Sequence, residues 1–529
     1  MPRFRTAAAA AILAVPVVAG GFLLQRPPQR SGAMLLNQVM SLVSTQYVDT
    51  LPSTAIYEKA ASGLVKDLDD PYSELLSPQA SEEFDRQTNG RYGGTGMLIG
   101  EDTPGTVVVE RVFPNTPADD AGVREGDHIV SVDKHATGPL SLDKVSNLLR
   151  GEPGSKVSVT YTRPDVSDPI TLQFTRRVVH VPAVAYTAVF GDHIGYIPLQ
   201  TFNENTAEEV DAAIASLKRQ GAKGLVLDMR DNGGGIVEQA LETSSLFLHE
   251  GQEIVSVRSR NEAAEVERAS GKHLALDIPL VVLVNDGSAS ATEIVAGALQ
   301  DHDRALVVGS NTFGKGLVQS LYQLDGGYHL KITTGKWYTP SGRSIHRPRK
   351  LLPNGDFVVV RPDSTNGDTA ARPAYRSDAG RIVYGGGGIH PDVVVPNDTL
   401  PSDQRAFLRA IAAQGQTVNA VLQDYALELQ HHVDRGFTPP AAWTTELMRR
   451  LTVAKIAIDP KYDSAARIFL TRDLASRVAR LAFGDAAAKE QQLSLDHQLE
   501  TAIALLEHSS TQAQLLASAA PSAPASRKR

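Results

Sequence analysis

The pattern of apolar and polar residues changes several times along the chain, and each change marks a candidate domain. Apolar residues recur at helical spacing through residues 34–88, which predicts an N-terminal helical region. Residues 89–180 instead contain short β-rich runs separated by glycine turns, with one amphipathic helix at residues 141–149. We therefore expect a compact β-rich unit with one or two helices after the helical start.

Residues 181–400 alternate between predicted strands and predicted helices. The predicted strands are residues 194–199, 224–229, 280–284 and 305–308, and the predicted helices are residues 207–219, 235–248 and 289–300. Such alternation is typical of an α/β domain built on a largely parallel or mixed sheet. The predicted fold class of the chain is therefore mixed α/β.

The remaining chain adds an insertion, a second helical region and a tail. Residues 344–388 form an irregular insertion that ends in four glycines, and residues 401–510 return to helical composition. Residues 511–529 are rich in Ala, Ser and Pro, which predicts disorder. The expected domains are residues 1–30, 31–88, 89–180, 181–400, 401–510 and 511–529.

The N-terminus carries an export pattern. Arg3 and Arg5 precede an apolar run at residues 7–24, as in the basic and apolar parts of a signal sequence. The run is also just long enough to span a membrane, so a cleaved signal and a membrane anchor both remain open. The arginines place the N-terminus in the cytoplasm and the rest outside it. We expect a protein of the cell envelope, in the periplasm or otherwise extracytoplasmic, that contacts the membrane through this segment.

Composition excludes several classes of function. With a net charge of −8, nothing in the composition suggests binding of nucleic acid, which would call for a basic patch or stripe. The absence of cysteine excludes a cysteine nucleophile, a thiolate zinc site and any disulfide. The histidines show no metal-binding spacing, and no nucleotide-binding G-x-x-x-x-G-K-[ST] motif is present. We expect neither a metal nor a cofactor.

Three segments carry candidate chemistry, and each has a structural alternative. Ser290 follows a buried strand at the start of a helix, where free amides and the helix dipole could support a nucleophile and its oxyanion, although serine is also a common helix cap. Lys315 lies between two glycines; burial would lower its pKa and make it a base, whereas a turn lysine is usually solvated. The glycine-rich turn at residues 233–235 presents amides suited to an oxyanion hole or to a phosphate.

Taken together and in order, these segments resemble the carboxyl-terminal processing peptidases, also called tail-specific proteases, over roughly residues 34–396. The matching parts are residues 47–49, 68–73, 227–235, 287–301, 314–319, 338–343 and 388–392, with the β-rich block. The resemblance implies that Ser290 is the nucleophile, that Lys315 is the general base and that Gln319 orients the lysine. It also implies that the amides of Ala291 and Gly234 bind the oxyanion. Thr292 departs from the family, where serine is common, as do the long insertion and the region after residue 400.

The β-rich block resembles a PDZ domain. Its glycine turn would bind a terminal carboxylate through backbone amides, and the strand that follows would pair with the incoming peptide. Val145 and Leu149 of the amphipathic helix would close the groove. The predicted peptide-binding residues of the turn and strand are Gly93, Gly94, Thr95, Gly96, Met97, Leu98 and Ile99. The structural alternative is a small β-domain whose glycines only form turns.

Two functional hypotheses follow from these features. The first is a serine endopeptidase that captures C-terminal tails of envelope proteins and cuts them through an acyl-enzyme. The second is a catalytically silent PDZ scaffold that only binds peptides. The joint presence of the serine, lysine, glutamine and glycine turn favours the enzyme. Three roles remain open for residues 401–510, which are dimerisation, capping of the site and binding of an adaptor protein.

Overall fold

The computed structural model describes residues 28–103, 105–163, 166–191, 193–260, 262–271, 275–352, 357–359 and 372–519. The described residues form two compact units. The first unit takes its residues from Met1–Pro78, Gln319–Thr333 and Arg349–Val358, and the second unit contains the others. The apolar run at residues 7–24 lies outside the described residues, as do residues 353–356 and 360–371 of the predicted insertion. Within the described ranges, every helix is too short or too polar to cross a membrane.

The first unit contains two N-terminal helices and a short strand. The helices are α1 (Pro28–Gln46) and α2 (Ser53–Lys66), and the strand is β1 (Glu74–Leu76). Strand β1 pairs antiparallel with residues 329–331, with Glu74 opposite Lys331. Strand β1 therefore interrupts the helical region that the sequence predicts at residues 34–88. Three residues are too few to show strand alternation, and their pairing partner lies far along the chain.

The PDZ-like block belongs to the second unit. Its sheet has the strand order β3–β4–β5–β7–β8, so β3 lies at an edge, and β6 pairs with β5 while β2 pairs with β9. The helices of this region are α3 (Pro78–Asn89), α4 (Pro117–Asp120) and α5 (Leu142–Leu149). The strands are β2 (Arg91–Gly94), β3 (Met97–Thr103), β4 (Thr106–Val112), β5 (His128–Val132), β6 (His135–Ala136), β7 (Lys156–Arg163), β8 (Val166–Thr175) and β9 (Arg177–His180).

A mixed six-stranded sheet forms the centre of the second unit. Its strand order is β10–β11–β12–β15–β16–β23; β10 is antiparallel to β11, and the other neighbours are parallel. The strands are β10 (Ala188–Phe190), β11 (Ile194–Pro198), β12 (Gly224–Asp228), β15 (Leu280–Val284), β16 (Leu306–Gly309) and β23 (Val393–Val394). Helices α6 (Thr206–Arg219), α7 (Val237–Ser245) and α8 (Ala291–Asp301) connect or follow these strands.

This parallel arrangement positions the candidate chemistry. The glycine-rich turn follows β12, the Ser290 segment follows β15 and the Lys315 segment follows β16. Because the carboxyl ends of neighbouring parallel strands lie at the same edge, all three segments meet there. The prediction of a mixed α/β fold is confirmed.

Further strands lie outside this sheet. Strand β13 pairs with β14, and Ser256 to Ser259 of β13 pair with residues 335–338. The two small additional sheets are β19–β20 and β21–β22. The bounds are β13 (Glu253–Ser259), β14 (Glu265–Arg268), β17 (Leu317–Gln323), β18 (His329–Tyr338), β19 (Arg349–Leu351), β20 (Phe357–Val359), β21 (Ala374–Arg376) and β22 (Ile382–Tyr384).

The C-terminal region is helical, as the sequence predicts. Its helices are α9 (Ser402–Ile411), α10 (Gly415–Leu429), α11 (Ala441–Val453), α12 (Asp463–Phe483), α13 (Asp485–Gln492), α14 (His497–Glu507) and α15 (Gln512–Ser518). The predicted disorder of residues 511–529 is wrong for α15, because Leu515 is fully buried and the Gln512 side chain accepts a hydrogen bond from the Leu280 amide. These contacts with the central sheet order a segment whose own composition favours disorder.

Candidate active site

Ser290 stands in an unusual backbone conformation at the start of helix α8. Its φ of 56° and ψ of −117° lie outside the regions that a residue with a side chain normally occupies. An ordinary helix cap is extended, so the backbone of Ser290 differs from that of a usual capping serine, even though Ser290 and Glu293 are paired as in a capping box. Ser290 is half-buried and therefore partly open to solvent. Such a strained residue in a loop is a candidate functional group.

The neighbouring serine has a different environment. Ser288 is fully buried, and its hydroxyl donates to the carbonyl oxygen of Met229 at 2.8 Å while accepting from the Asn285 amide at 3.0 Å. A hydroxyl that is buried and bonded on both sides holds two loops together. Of these two serines, Ser290 is the one that a substrate can reach.

The glycine turn, residues 233–235, packs directly against the nucleophile candidate. A Cβ atom on Gly234 would lie 2.9 Å from the Cβ of Ser290 and 3.0 Å from the Ala291 amide nitrogen. A Cβ atom on Gly235 would lie 2.1 Å from the carbonyl oxygen of Phe202. Both glycines also have positive φ values, 99° and 145°. No other residue fits at these two positions without moving the backbone.

The amides around Ser290 differ in their bonding. The Gly234 amide donates to Asn232 Oδ1 at 2.9 Å, so in this conformation the predicted oxyanion donor already has an acceptor. Within the described part of the chain, the amides of Gly233, Gly235 and Ala291 have no acceptor. Free amides beside a strained serine are the elements from which an oxyanion hole is built.

Backbone bonds fix the glycine turn to the loop that carries Ser290. The carbonyl oxygen of Asn232 accepts from the Ala289 amide at 3.0 Å and from the Thr292 hydroxyl at 2.9 Å. The Asp231 amide donates to Asn285 Oδ1 at 2.9 Å. Thr292 therefore has a structural role, since its hydroxyl secures the turn.

The loop that carries Lys315 is held on both sides of the lysine backbone. The Lys315 amide donates to Glu293 Oε2 at 2.8 Å, and its carbonyl oxygen accepts from the indole nitrogen of Trp337 at 3.0 Å. The Phe313 amide donates to the carbonyl oxygen of Ser288 at 2.9 Å, which joins this loop to the nucleophile loop. Lys315 itself is half-buried.

Glu293 is a functional candidate that the sequence reasoning missed. Its fully buried carboxylate accepts from the amides of Ser290 at 3.0 Å, Gly314 at 2.7 Å and Lys315 at 2.8 Å. The Thr312 hydroxyl is a fourth donor. Burial raises the pKa of Glu293, and the four hydrogen bonds oppose that rise. One available signal was a glutamate three residues after a serine at a helix start, the spacing of a capping box.

Gln319 belongs to the first compact unit, unlike Ser290 and Lys315. There its side-chain nitrogen donates to the Thr333 hydroxyl at 3.4 Å. The orienting role of Gln319 stays a prediction.

The predicted peptide site divides between two faces of the PDZ-like block. Met97, Val145 and Leu149 lie together in its buried core, and Ile99 packs against that core. Leu98 is 47% exposed and lines a cleft that faces the C-terminal helices, so it is not part of this group. Strand β3 has a free edge because it pairs with β4 alone within its sheet.

The glycine turn of this block is tightly packed. Gly96 has a φ of 89°, and a Cβ atom there would lie 2.2 Å from the Cβ of Thr116. The carbonyl oxygen of Gly93 accepts from the Gly151 amide at 3.0 Å, and Gly94 pairs with Arg177 in the ladder of β2 and β9. Among the described residues, the amides of Thr95 and Gly96 lack an acceptor. Two adjacent free amides can bind a carboxylate.

The described ranges contain no group of three or more acidic or histidine side chains placed to hold an ion. The groups that lie together at this edge of the sheet are a serine, a lysine backbone, a buried carboxylate and backbone amides.

Comparison with known proteins gives matches over the PDZ-like block and over the region that contains Ser290 and Lys315. Residues 193–354 match the model of peptidase family S41, and residues 108–163 match that of the PDZ domain. The carboxy-terminal processing protease CtpA of Bacillus subtilis is 35% identical over 312 residues, which are 59% of this chain and 66% of that protein. The carboxy-terminal-processing protease of Bartonella bacilliformis is 38% identical over 332 residues, 61% of this chain and 74% of that protein. The solved photosystem II D1 C-terminal processing protease shares 35% identity, with 59% of this chain and 89% of that one covered and a TM-score of 0.34.

Proposed function

Because the chain belongs to the family of carboxyl-terminal processing proteases and contains a PDZ domain, we propose that it is a serine endopeptidase acting through Ser290 and Lys315. The observation that carries this proposal is the conformation of Ser290. The residue is strained at φ 56°, half-buried, and in contact with a glycine turn and a free helix amide. A helix cap alone would need none of these features.

The proposed reaction begins with proton transfer. Neutral Lys315 takes the proton of the Ser290 hydroxyl, and the serine oxygen attacks the carbonyl carbon of the scissile peptide bond. The tetrahedral intermediate then collapses, the carbon–nitrogen bond breaks, and the lysine returns the proton to the leaving amine. Water attacks the acyl-enzyme in the same way, with Lys315 again as the base, and releases the new carboxyl terminus. Gln319 is the residue proposed to orient the lysine.

Backbone amides are proposed to bind the oxyanion. The Ala291 amide is the first donor, because it is the N-terminal amide of α8 and has no acceptor among the described residues. Gly234 remains the predicted second donor, which requires release of its bond to Asn232 when substrate binds. Gly235, whose amide has no acceptor within the described ranges, is the alternative second donor from the same turn.

Substrate capture is assigned to the PDZ-like block. A terminal carboxylate would bind the amides of Thr95 and Gly96, and the tail would pair with the free edge of β3. The apolar residues Met97, Val145 and Leu149 would contact the last side chain of the tail. This assignment predicts a preference for proteins with accessible C-termini.

The basic, apolar N-terminal pattern supports action outside the cytoplasm, on proteins of the cell envelope. The membrane is a proposed contact of residues 1–30, whether as a cleaved signal or as an anchor. Residues 401–510 remain the proposed contact for an adaptor protein or a second copy of the chain.

The test compares the C-termini of envelope proteins in cells that express the active protein or the Ser290→Ala variant. Terminal mass spectrometry should find shortened tails only with the active protein. A fluorophosphonate probe should label the active protein and leave the variant unlabelled. Identical termini in both samples together with absent labelling would overturn the proposal and favour a silent peptide-binding scaffold.

A further inference from the structure

A buried cluster of charged side chains lies immediately before the glycine turn. The Arg230 guanidinium donates to both carboxylate oxygens of Asp228, at 2.9 and 2.6 Å, and to both of Asp496, at 2.7 and 2.8 Å. It also donates to the side-chain oxygen of Gln498 at 3.1 Å. Because the guanidinium makes a bidentate pair with each of two carboxylates, both its position and the orientation of its plane are fixed.

Most of the partners in this cluster come from the far end of the chain. Asp496 is 266 residues from Arg230 and precedes α14, and Lys489 of α13 donates to Asp496 Oδ2 at 2.6 Å. Burial opposes the charge on Asp496, but Arg230 and Lys489 outweigh that effect and lower its pKa. Burial likewise opposes the charge on Arg230, and its two carboxylate partners raise its pKa overall. Both groups therefore remain charged.

In the sequence, Arg230 lies between two residues that bond the loop after β12 to the loop after β15. Met229, the preceding residue, accepts from the Ser288 hydroxyl, and Asp231, the following residue, bonds with Asn285. The cluster forms part of the wall of a cavity of about 610 Å³ that also includes Asp231 and Asn285. Displacement of Arg230 would thus be transmitted to the glycine turn, which begins three residues later.

Helix α13 reaches the PDZ-like block as well. Asp485, one helical turn before Lys489, pairs with Arg111 of β4 at 3.0 Å. Arg480 of α12 lies 3.8 Å from Glu125 of the same block. The C-terminal helices therefore contact the block proposed to capture tails and the arginine beside the glycine turn.

We propose that Asp496 is a positioning residue that holds Arg230, and with it the glycine turn, so that the C-terminal helices complete the catalytic centre. This inference rests on the proposed function. It assigns a role to the part of the chain that resembles the family least. Asp496 acts through Arg230 and does not contact substrate.

The test uses the full chain with Asp496→Asn, which keeps the size of the side chain and removes its charge. We expect kcat for a tailed substrate to fall by up to about 100-fold, because a distant mutation that misplaces the reacting groups by about 1 Å can have an effect of that size. Affinity for a free-tailed peptide should not change. The matched control is Glu490→Gln, which removes the exposed pair with Arg435 from helix α13, six residues before Asp496. It should behave as the unmodified protein does.

Two further measurements separate positioning from simple stability. If Asp496 acts through Arg230, the double variant with Arg230→Gln should be no slower than Arg230→Gln alone, and Asp496→Glu should recover part of the rate. Hydrogen exchange of the amides at residues 232–235 should accelerate in Asp496→Asn, a readout that needs no activity. Unchanged kcat and unchanged exchange, with only a lower Tm, would overturn the inference. An unmodified protein that cleaves nothing while the exchange change is present would count against the proposed function alone.

Discussion

The hydroxyl of Ser288 and the carbonyl oxygen of Met229 are joined by a buried 2.8 Å hydrogen bond, which ties the loop after β15 to the loop after β12. These two loops are therefore held together by a serine two residues away from the proposed nucleophile. The same short segment thus contains one serine with a structural role and another with a proposed chemical role.

The first prediction separates these two serines. Ser288→Ala should lower the free energy of unfolding by about 1–3 kcal/mol, because it leaves the Met229 carbonyl and the Asn285 amide without their partner, yet it should retain cleavage. Ser290→Ala should abolish cleavage with little change in stability. Thermal unfolding and cleavage of a tailed substrate measure both effects. A folded Ser288→Ala protein without activity, beside an active Ser290→Ala protein, would place the nucleophile at residue 288.

The second prediction concerns the base. Lys315→Arg keeps a positive charge that cannot accept a proton, so activity should be nearly lost while the protein stays folded. The backbone bonds of Lys315 to Glu293 and Trp337 do not depend on the side chain. In the unmodified protein the acylation rate should rise with pH along one ionisation, since only neutral lysine takes the proton. Lys336→Arg, at an exposed lysine, is the control, and substantial activity in Lys315→Arg would exclude the dyad.

The third prediction concerns Glu293, whose carboxylate joins the serine and lysine loops. Glu293→Gln would replace one accepting carboxylate oxygen by an NH2 group, which would face backbone N–H donors and could not accept their hydrogen bonds. We expect it to lower the free energy of unfolding by about 1–3 kcal/mol for each donor left without a partner, and to reduce activity strongly. Glu238→Gln, in the exposed first turn of α7, is the matched control. Equal activity in both variants would remove Glu293 from the site.

The raised pKa of Glu293 also fixes the sign of a pH effect. A carboxyl whose pKa is higher in the folded state than in the unfolded state favours folding most at pH values below the unfolded pKa. That contribution declines as the pH rises through the folded pKa. Removal of the group in Glu293→Gln should therefore flatten the pH dependence of unfolding above about 4.3, the ordinary pKa of glutamate. Denaturant unfolding across that range measures the slope, and an unchanged slope would contradict the assignment.

The fourth prediction concerns tail capture. Gly96→Ala puts a Cβ against Thr116 at a φ of 89°, so the turn must move and its amides should lose their alignment. Affinity for a peptide with a free carboxylate should fall by about tenfold or more, as expected for the loss of charge-assisted hydrogen bonds worth about 1.5–3 kcal/mol. Labelling of Ser290 should persist. Gly122→Ala has a φ of 74° in the same block but open space around it, which makes it the control.

The fifth prediction concerns location. A reporter that is active only in the cytoplasm should be silent when fused after residue 40, because the N-terminal pattern predicts export. The same fusion without residues 1–30 should be active, which controls for expression. Strong activity of the complete fusion would contradict the export proposal.

The sequence predicts well those features that depend on local pattern. The strands before residues 228, 285 and 310 are continuous apolar runs, so the meeting of their following loops could be anticipated from the rule for parallel strands. The four hydrogen bonds of Glu293 could not be anticipated from the sequence, because three of them reach residues 312–315 on another loop. The pair between Arg230 and Asp496 spans 266 residues and leaves no local signal. The same holds for β1, whose partner is residues 329–331.

The last helices also determine when, during synthesis, the central sheet can finish folding. Leu499, Ala502 and Leu506 of α14 cover one face of the central sheet, where they pack among residues such as Val226 and Leu283. That face of the sheet stays exposed to solvent until residues near position 506 have been synthesised. Contacts between segments so distant in the chain form late in folding. A growing chain consequently carries its serine and lysine for about 200 residues, or some 10 to 40 seconds of synthesis at 5–20 residues per second, before its sheet is covered.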